Sequence, residues 1–390
     1  MSQHLKLDLF LVLGEYMCKS KFDIQESVME FEIAVLPGDG IGPEVTQESV
    51  KVLKAIETQF GHKFNLSYGD IGGVSIDKYG TALTDEVEQI ISKSDAVLFG
   101  AVGGPKWDDP TADTRPEDGL LKMRANLEAF ANIRPVKVYP ELVNTSVLKP
   151  EVLDNVDIVV VRELTGGLYY GQPKGRGTQD GAETATDTLF YTAPEIERVL
   201  RVGFELAKGR RKKLASIDKA NVLETSRLWR QIATEIASDY PDVELEHVLV
   251  DACAMQLVQS PSRFDVIVAE NTFGDILTDE AAILTASMGL LPSASLSGVP
   301  QIGKKTPGLY EPIHGTAPDI AGKGIANPTG SILSTALMLR YSLGLNEEAI
   351  TIEKAVEQVL SEGFRTAELN GPDIKLLSTT EFADEIVKKV

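Results

Sequence analysis

The chain has 390 residues, enough for two domains of roughly 100 to 200 residues each. Its 38 basic and 58 acidic residues leave a formal charge of -20, which argues against nucleic acid or an anionic membrane as the main partner. Two cysteines are too few for a disulfide framework, and the early apolar run Leu9 to Leu13 is too short for a membrane span or a signal sequence. We therefore expect a soluble cytoplasmic protein.

Residues 1 to 28 mix charged and polar residues without sustained periodicity. We predict a weakly ordered extension, with an ordered N-terminal arm as the alternative. Met29 immediately precedes a clean strand pattern and is a candidate natural start.

From Phe31 onward, short apolar runs typical of buried strands alternate with helical stretches. The strand-like runs are Phe31 to Leu36, Ala96 to Ala101, Ile158 to Val161, Leu214 to Ile217 and Val266 to Ala269. Helices are predicted after Pro43, over Ala193 to Lys208 and over Val222 to Ser238. This alternation predicts an α/β fold.

Two glycine-rich segments interrupt the pattern. The segment Gly38 to Gly42 lies between a strand and a helix, but its G-x-G-x-G spacing and the missing acidic partner do not fit a Rossmann dinucleotide fingerprint. We predict a tight turn there. The polar stretch between Leu164 and Tyr191 predicts an exposed loop or arm, of a kind that often exchanges between subunits.

Three arginines, Arg124, Arg134 and Arg162, stand in strand or loop contexts, and Arg162 follows four apolar residues. A guanidinium at the end of a buried strand needs a carboxylate or an anionic ligand. Structural pairing, for example with Glu163, is the alternative for any one of them, whereas three together favour a polycarboxylate substrate.

Asp275 and Asp279 lie four residues apart in a helical segment with apolar neighbours, so they share one helix face. Like charges at this spacing repel, and a hard cation such as Mg²⁺ or Mn²⁺ would reverse that repulsion. A solvated acidic face is the alternative.

Tyr169 and Lys219 are candidate proton-transfer groups, because Lys219 closely follows a buried-type strand, where burial beside a cation lowers a lysine pKa. Surface or structural roles remain open for both. A hydrolytic triad has little support, since the chain has four histidines and no nucleophile-elbow motif.

The Gly- and Pro-rich segment from Glu311 to Asn327 allows close backbone approach by a ligand. Asp319 within it could accept bonds from two ribose hydroxyls and would repel a 2′-phosphate. A plain connector is the alternative reading.

Together these segments resemble the isocitrate/isopropylmalate family of metal-dependent β-decarboxylating dehydrogenases, and within it the isopropylmalate-using members. The resemblance runs from about Phe31 to the C-terminus. It is carried by the segments Leu36 to Glu44, Gly103 to Trp107, Phe130 to Pro135, Val161 to Gly171, Asp218 to Leu223, Gly274 to Asp279 and the His314 loop.

The resemblance implies NAD-dependent oxidative decarboxylation of 3-isopropylmalate in leucine biosynthesis, with Mg²⁺ or Mn²⁺ and NAD as cofactors. It implies substrate carboxylate binding by Arg124, Arg134 and Arg162, and catalysis by Tyr169 and Lys219. The metal ligands would be Asp275, Asp279 and, from the second subunit of a homodimer, Asp251, which would also contact the substrate; Lys219 would come from that subunit too.

Substrate and cofactor choice also follow from the resemblance. Glu117, Leu120 and Leu121 would read the variable substituent, and leucines favour an isopropyl group. The Asp319-Ile320 pair would select NAD over NADP. The residues of the cofactor loop would be Glu311, His314, Gly315, Thr316, Ala317, Pro318, Asp319, Ile320 and Asn327.

The resemblance implies a first domain of residues 29 to 129 with 286 to 390, and a second, dimerising domain of residues 130 to 285. Residues 1 to 28 have no family counterpart, and Glu368 stands where the family usually has Asp.

The alternatives to the implied activity are a homoisocitrate or isocitrate dehydrogenase, a non-redox metal-dependent hydrolase, and an inactive regulatory paralogue.

Overall fold

The computed structural model describes residues 29–109, 112–299, 306–369, 371 and 374–390. The expected N-terminal extension, residues 1 to 28, and Cys18 within it lie outside the described residues. No helix in the described part of the chain is both long enough and apolar enough to cross a membrane.

Ten strands form one sheet, flanked by helices. The strands of this sheet are β1 (Glu30–Gly38), β2 (Lys63–Tyr68), β3 (Ala96–Ala101), β4 (Ala131–Lys137), β5 (Asp157–Glu163), β8 (Lys213–Asp218), β9 (Glu244–Leu249), β10 (Val266–Ala269), β11 (Pro292–Leu296) and β12 (Gly308–Pro312). Four further strands form two small ribbons, namely β6 (Gly175–Gln179) with β7 (Ala182–Thr186), and β13 (Phe364–Arg365) with β14 (Lys375–Leu376).

The helices alternate with these strands, as the sequence predicts. They are α1 (Gly42–Phe60), α2 (Gly73–Tyr79), α3 (Asp85–Lys93), α4 (Pro116–Asn126), α5 (Pro150–Leu153), α6 (Ala193–Lys208), α7 (Glu224–Ala237), α8 (Val250–Gln259), α9 (Asn271–Ala282), α10 (Thr329–Tyr341), α11 (Asn346–Ser361) and α12 (Thr379–Val387).

The sheet order is β2-β1-β3-β12-β11-β4-β5-β10-β8-β9. The strands at both ends pair in parallel, while β12, β11, β4 and β5 pair antiparallel in the middle. Strands β3 and β10 are buried along their whole length, because helices cover the sheet. The prediction of an α/β fold is confirmed.

Several predicted elements agree to the residue, among them β3, β10 and α6. Helix α6 begins where predicted because Thr192 and Glu195 form a capping box. The helix predicted from Val222 begins instead at Glu224, because residues 219 to 223 form a turn in which the amides of Val222 and Leu223 both donate to the Lys219 carbonyl, at 3.0 and 2.9 Å.

The glycine-rich turn after β1 is tight, as predicted. Gly38 and Gly40 have φ values of +70° and +58°, and a Cβ on Gly40 would lie 2.1 Å from the Thr316 carbonyl oxygen. The Ile41 amide donates to that same oxygen at 2.9 Å. The glycines therefore let this turn press against the segment that follows β12.

The polar segment after β5 contains a short 3-10 turn, Gly167–Tyr169, and then the two-stranded ribbon β6-β7. All five residues of β6 are exposed. An exposed arm is therefore confirmed for β6 and β7, whereas Gly166, Gly167 and Gly171 in the same predicted stretch are buried. Its exchange between subunits stays a prediction.

The predicted domain boundary falls inside the ten-stranded sheet. Residues 29 to 129 and 286 to 390 supply β1, β2, β3, β11 and β12, and residues 130 to 285 supply the other five strands of that sheet. The two groups meet where β11 pairs with β4. The division into two domains stays a prediction.

Candidate active site

Helix α9 carries the two acidic residues singled out from the sequence. Its side chains Asp275 and Asp279 are 36% and 65% exposed. Leu277 is buried beneath them, whereas Ile276 is 61% exposed. The expected apolar surroundings therefore exist on one face of the helix only, and the two carboxylates open outward.

The Arg162 guanidinium binds this helix. Its Nη1 is paired with Asp275 Oδ1, and its Nε and Nη2 donate to Asn271 Oδ1 at 3.1 and 2.8 Å. Burial lowers the pKa of Arg162, although Asp275 opposes the shift. Pairing with the adjacent Glu163, the alternative from the sequence, does not occur, because successive strand residues point to opposite faces.

Tyr169 reaches the same carboxylate from the turn after β5. Its hydroxyl donates to Asp275 Oδ2 at 3.1 Å, and the Arg162 guanidinium carbon lies 5.8 Å from its ring centroid. Burial and the negative charge of Asp275 raise the pKa of Tyr169. The phenol is therefore held as a proton donor, and it is 42% exposed, so a ligand can reach it.

Arg134 approaches α9 from β4. Its Nε donates to Asn132 Oδ1 and its Nη1 to Thr278 Oγ1, each at 2.7 Å, while Asp279 Oδ1 lies 3.8 Å from Nη1. Burial, with the nearby Arg162 cation, lowers the pKa of Arg134 to about 10, which leaves it charged at neutral pH. We call Arg134, Arg162, Tyr169, Asp275 and Asp279 the charged cluster.

Arg124 lies on α4 and donates from Nη2 to Glu311 Oε1 at 2.8 Å. Glu311, predicted as a cofactor residue, is thus engaged with an arginine predicted to bind the substrate. The Arg124 Nε is buried without a hydrogen-bond partner among the described residues, although the side chain is 13% exposed. An anionic ligand would satisfy this donor.

Lys219 and Asp251 form an ion pair of their own, with 2.7 Å between Nζ and Oδ1. The hydrogen bond from Lys219 lowers the pKa of Asp251. Within the described ranges, no three His, Cys, Asp or Glu side chains of this single chain come together as a metal site. The predicted role of this pair in a second subunit's site stays a prediction.

The residues predicted to read the substituent lie on α4. Leu121 is 41% exposed, Leu120 is half-buried, and Glu117 is exposed. All three are on the helix that carries Arg124, one to two turns before it.

The loop after β12 forms one side of an apolar pocket of 370 Å³. His314, Ala317, Ile320 and Asn327 line it, while Asp319 stands exposed beside Ile320 and Thr316 is buried against the turn after β1. Gly315 and Pro318 are exposed on the same loop. The structure therefore brings four of the nine predicted cofactor residues to the lining of one pocket.

Two polar groups in this pocket are informative. His314 Nδ1 lies 2.9 Å from the Gly315 carbonyl oxygen, whereas its buried Nε2 has no hydrogen-bond partner in the part of the chain that the structure describes. Burial lowers the pKa of this histidine. Glu368 Oε1 accepts from Asn327 Nδ2 at 2.7 Å and from Thr366 Oγ1 at 3.1 Å. The apolar lining with few polar groups is typical of a small-molecule site.

The sequence did not single out several residues that hold these groups. Asn271, Asn132 and Thr278 anchor the two buried arginines, and Ile41 and Ser287 line the pocket. Asn271 had a usable signal, because it precedes Asp275 by one helical turn and so shares its face. Asn132 had one too, because it lies two residues before Arg134 on β4 and so shares its face. Thr278, Ile41 and Ser287 depend on contacts between distant segments.

The donor sets fit the implied cofactors. Asp275 and Asp279 offer only carboxylate oxygens, which suit a hard divalent cation, and two protein carboxylates leave room for ligand oxygens. The unpartnered Nε2 of His314 and the apolar walls of the pocket fit a ligand with a flat apolar body and polar edges.

Comparisons with known proteins show the family of this chain. The family model described as isocitrate/isopropylmalate dehydrogenase matches residues 32–386. The chain is 59% identical to a 3-isopropylmalate dehydrogenase of Anaeromyxobacter dehalogenans, over 93% of this chain and 100% of that protein. It is 57% identical to one from Dehalococcoides mccartyi, over 92% and 99%. An isocitrate dehydrogenase structure from Methylococcus capsulatus superimposes with a TM-score of 0.79 at 34% identity, covering 92% of this chain and 99% of that one.

Proposed function

We propose that this chain, which belongs to the isocitrate/isopropylmalate dehydrogenase family, converts 3-isopropylmalate to 4-methyl-2-oxopentanoate and CO₂ by oxidative decarboxylation in leucine biosynthesis. One observation carries the proposal for the site: a guanidinium and a phenol converge on the two oxygens of a single carboxylate, Asp275. A dianionic hydroxy acid needs cations for its carboxylates and a proton donor for its product, and both are in contact there.

Substrate binding rests on the arginines. Arg134 and Arg162 are buried cations whose Asn and Thr partners fix their planes, so a carboxylate can bind without a large ordering cost. Arg124 adds an unsatisfied buried Nε. Leu120 and Leu121 offer apolar contact for an isopropyl group, which would disfavour a substrate with a third carboxylate at that position.

The metal is Mg²⁺ or Mn²⁺, held by Asp275 and Asp279 and completed by the partner subunit's Asp251. When bound, it supplies positive charge that stabilises negative charge on the substrate oxygens. The exposure of both α9 carboxylates and the absence of a complete ligand set among the described residues of one chain support a site shared by two subunits.

Proton transfer is divided between two side chains. Lys219 assists removal of the C2 hydroxyl proton. Bound NAD⁺ would supply the hydride acceptor for the oxidation at C2. The resulting β-keto acid breaks its bond to the departing carboxylate, and the electron pair stays on the enolate. Tyr169 then donates its proton to the enolate carbon, a role that fits its raised pKa.

NAD occupies the pocket below His314. The exposed carboxylate of Asp319 accepts the ribose hydroxyls and repels the 2′-phosphate of NADP. The buried Nε2 of His314 and the amide of Asn327 are the polar groups that fix the ligand's orientation.

The assembly is a cytoplasmic homodimer with shared active sites. Exposed Ile276 on α9, together with Met255 and Val258 on α8, supports a covered face in this region, and the exposed β6-β7 arm supports exchange between subunits. Residues 29 to 129 with 286 to 390 form the cofactor domain, residues 130 to 285 the other, and the cleft between them closes on the substrate.

The experiment is a substrate panel with the purified chain. Formation of NADH or NADPH is followed with each of three substrates, 3-isopropylmalate, isocitrate and homoisocitrate. Each substrate is tested with NAD⁺ or NADP⁺, and with Mg²⁺, Mn²⁺ or a chelator. We expect 3-isopropylmalate with NAD⁺ and a divalent metal to give the highest kcat/KM, and the chelator to abolish turnover.

A second candidate activity is isocitrate or homoisocitrate oxidation, which the 34% identity to an isocitrate dehydrogenase structure favours. A preference for either tricarboxylate in the panel would replace the proposed substrate. No turnover of any hydroxy acid would support an inactive regulatory paralogue instead.

A further inference from the structure

Two buried glutamates outside the charged cluster face the same tyrosine. Glu163 ends β5 and is fully buried, and Glu270 precedes α9 and is 6% exposed. The Tyr191 hydroxyl lies 3.2 Å from Glu163 Oε2 and 3.3 Å from Glu270 Oε2. None of these residues has a role in the steps described above.

Each glutamate holds one of the two elements that meet at Asp275. Glu163 accepts from the amides of Thr165 and Gly166, at 3.0 and 2.8 Å, and so fixes the start of the turn that carries Tyr169. Glu270 accepts from the amides of Thr272 and Phe273, at 3.1 and 2.8 Å, and so caps α9.

Tyr191 also packs directly against the turn. A Cβ on Gly167 would lie 2.4 Å from the Tyr191 hydroxyl oxygen, and Gly167 has a φ of +75°. The Asn271 amide donates to that hydroxyl oxygen at 3.0 Å, and the Asn271 side chain donates to the Gly166 carbonyl at 3.0 Å. Since Asn271 also accepts from Arg162, the tyrosine lies beneath the contacts of both Arg162 and Tyr169.

The hydrogen-bond geometry at the Tyr191 oxygen accommodates one extra proton. The hydroxyl has a single hydrogen, so it can donate to only one of the two carboxylates. If one glutamate is protonated, its O–H donates to the tyrosine oxygen while the tyrosine donates to the other glutamate, and every contact is satisfied. Burial raises the pKa of both Glu163 and Glu270, in agreement with this count.

We propose that Tyr191 is a positioning residue: by sharing a proton with Glu163 and Glu270, it locks the turn carrying Tyr169 to the helix carrying Asp275 and Asp279. This inference rests on the proposed function for its catalytic readout. It adds that the relative placement of the proton donor and the metal ligands depends on a buried hydroxyl that contacts neither substrate nor cofactor.

The test is Tyr191→Phe, which keeps the ring and removes the bridge. We expect kcat per folded molecule to fall about tenfold or more, the Mg²⁺ concentration for half-maximal rate to rise about fivefold, and the KM for NAD⁺ to stay within about twofold, because the cofactor loop is not involved. Mn²⁺ binding measured by calorimetry on the dimeric protein should weaken by a similar factor.

The matched control is Tyr240→Phe. Tyr240 is also largely buried, stacks on Phe204, and is remote from the turn and from α9 in the chain. It should lose thermal stability without changing kcat or the metal requirement. A Tyr191→Phe protein that behaves like this control, with a lower Tm but unchanged kcat and Mn²⁺ binding, would overturn the inference.

Two outcomes need a different comparison: a Tyr191→Phe variant that does not fold, and a parent protein that is inactive. If Tyr191→Phe does not fold, Glu270→Gln and Glu270→Asp are compared, because both keep an oxygen that can cap α9 whereas only glutamine is long enough to reach the Tyr191 oxygen; equal kcat and Mn²⁺ binding in the two would overturn the inference. If the parent protein turns over no hydroxy acid, the proposed function fails, and Mn²⁺ binding alone decides the role of Tyr191.

Discussion

The charged cluster and the apolar pocket are held in shape by different forces. In the cluster, buried guanidiniums are fixed by side-chain amides, a hydroxyl and a carboxylate from β4 and α9. In the pocket, backbone turns and small residues set the shape, and a few polar groups such as Asn327 point into it. A single side-chain change should therefore cost more in the cluster than in the pocket, because a buried charge left unpaired is the larger penalty.

The largest expected loss of activity is that of Lys219→Met, which removes the lysine proposed above to take the substrate's hydroxyl proton. Removing a general acid-base group lowers kcat by about 10²- to 10⁴-fold, while the dimer and the fold should persist because Lys219 is only partly buried. NADH formation, circular dichroism and sedimentation measure the three properties. Parent-like turnover would remove Lys219 from the proposed mechanism.

Arg134→Met tests the cluster itself. Loss of a buried, hydrogen-bonded cation costs about 3 to 5 kcal/mol, so kcat/KM for 3-isopropylmalate should fall by about 10²- to 10³-fold. Arg263→Met, at an exposed pair with Glu246, is the control and should leave kcat/KM within about twofold. A similar small loss in both variants would show that the cluster does not bind the substrate.

Asp319→Ala tests the pocket through its exposed carboxylate. Two lost hydrogen bonds to ribose should raise the KM for NAD⁺ by about 10- to 100-fold and reduce the preference over NADP⁺. Asp239→Ala, which removes an exposed partner of Arg201, is the control. An unchanged ratio of the two cofactors' kcat/KM values would contradict cofactor selection by Asp319.

The smallest effect is expected for Glu368, where this chain departs from the usual Asp. Glu368→Ala leaves the Asn327 amide without its 2.7 Å acceptor and should raise the KM for NAD⁺ about fivefold. Glu368→Gln keeps an acceptor oxygen and should stay within about twofold of the parent. Steady-state kinetics at saturating substrate separates the two, and equal KM values would assign Glu368 no part in shaping the pocket.

The sequence predicted the local elements well because their signals are local. Strand β3 and helix α6 agree with the sequence prediction to the residue, because each is set by a signal that spans only a few positions: an uninterrupted apolar run in β3 and a capping box at the start of α6. The predicted helix start at Val222 was wrong because the Lys219 carbonyl stabilises a turn there, and helix propensity does not predict such a turn.

The candidate site was predictable in its residue types but not in its partners. The spacing of Asp275 and Asp279 placed both on one helix face, and the sequence offered Glu163 as a partner for Arg162. The structure pairs Arg162 with Asp275 and Asn271 instead and assigns Glu163 to a turn and to Tyr191. Strand alternation sends neighbouring side chains to opposite faces, so adjacency in the chain misleads about contact.

The sequence alone predicted the α/β pattern, the family resemblance and the candidate reactive side chains, because these depend on periodicity, motif spacing and residue chemistry. Only the tertiary structure decided which carboxylate meets which guanidinium, and that Tyr191 bridges two buried glutamates from β5 and α9. The physical reason is that such contacts join residues 28 to 113 positions apart in the chain, where the packing of the sheet and not the local chain sets each distance.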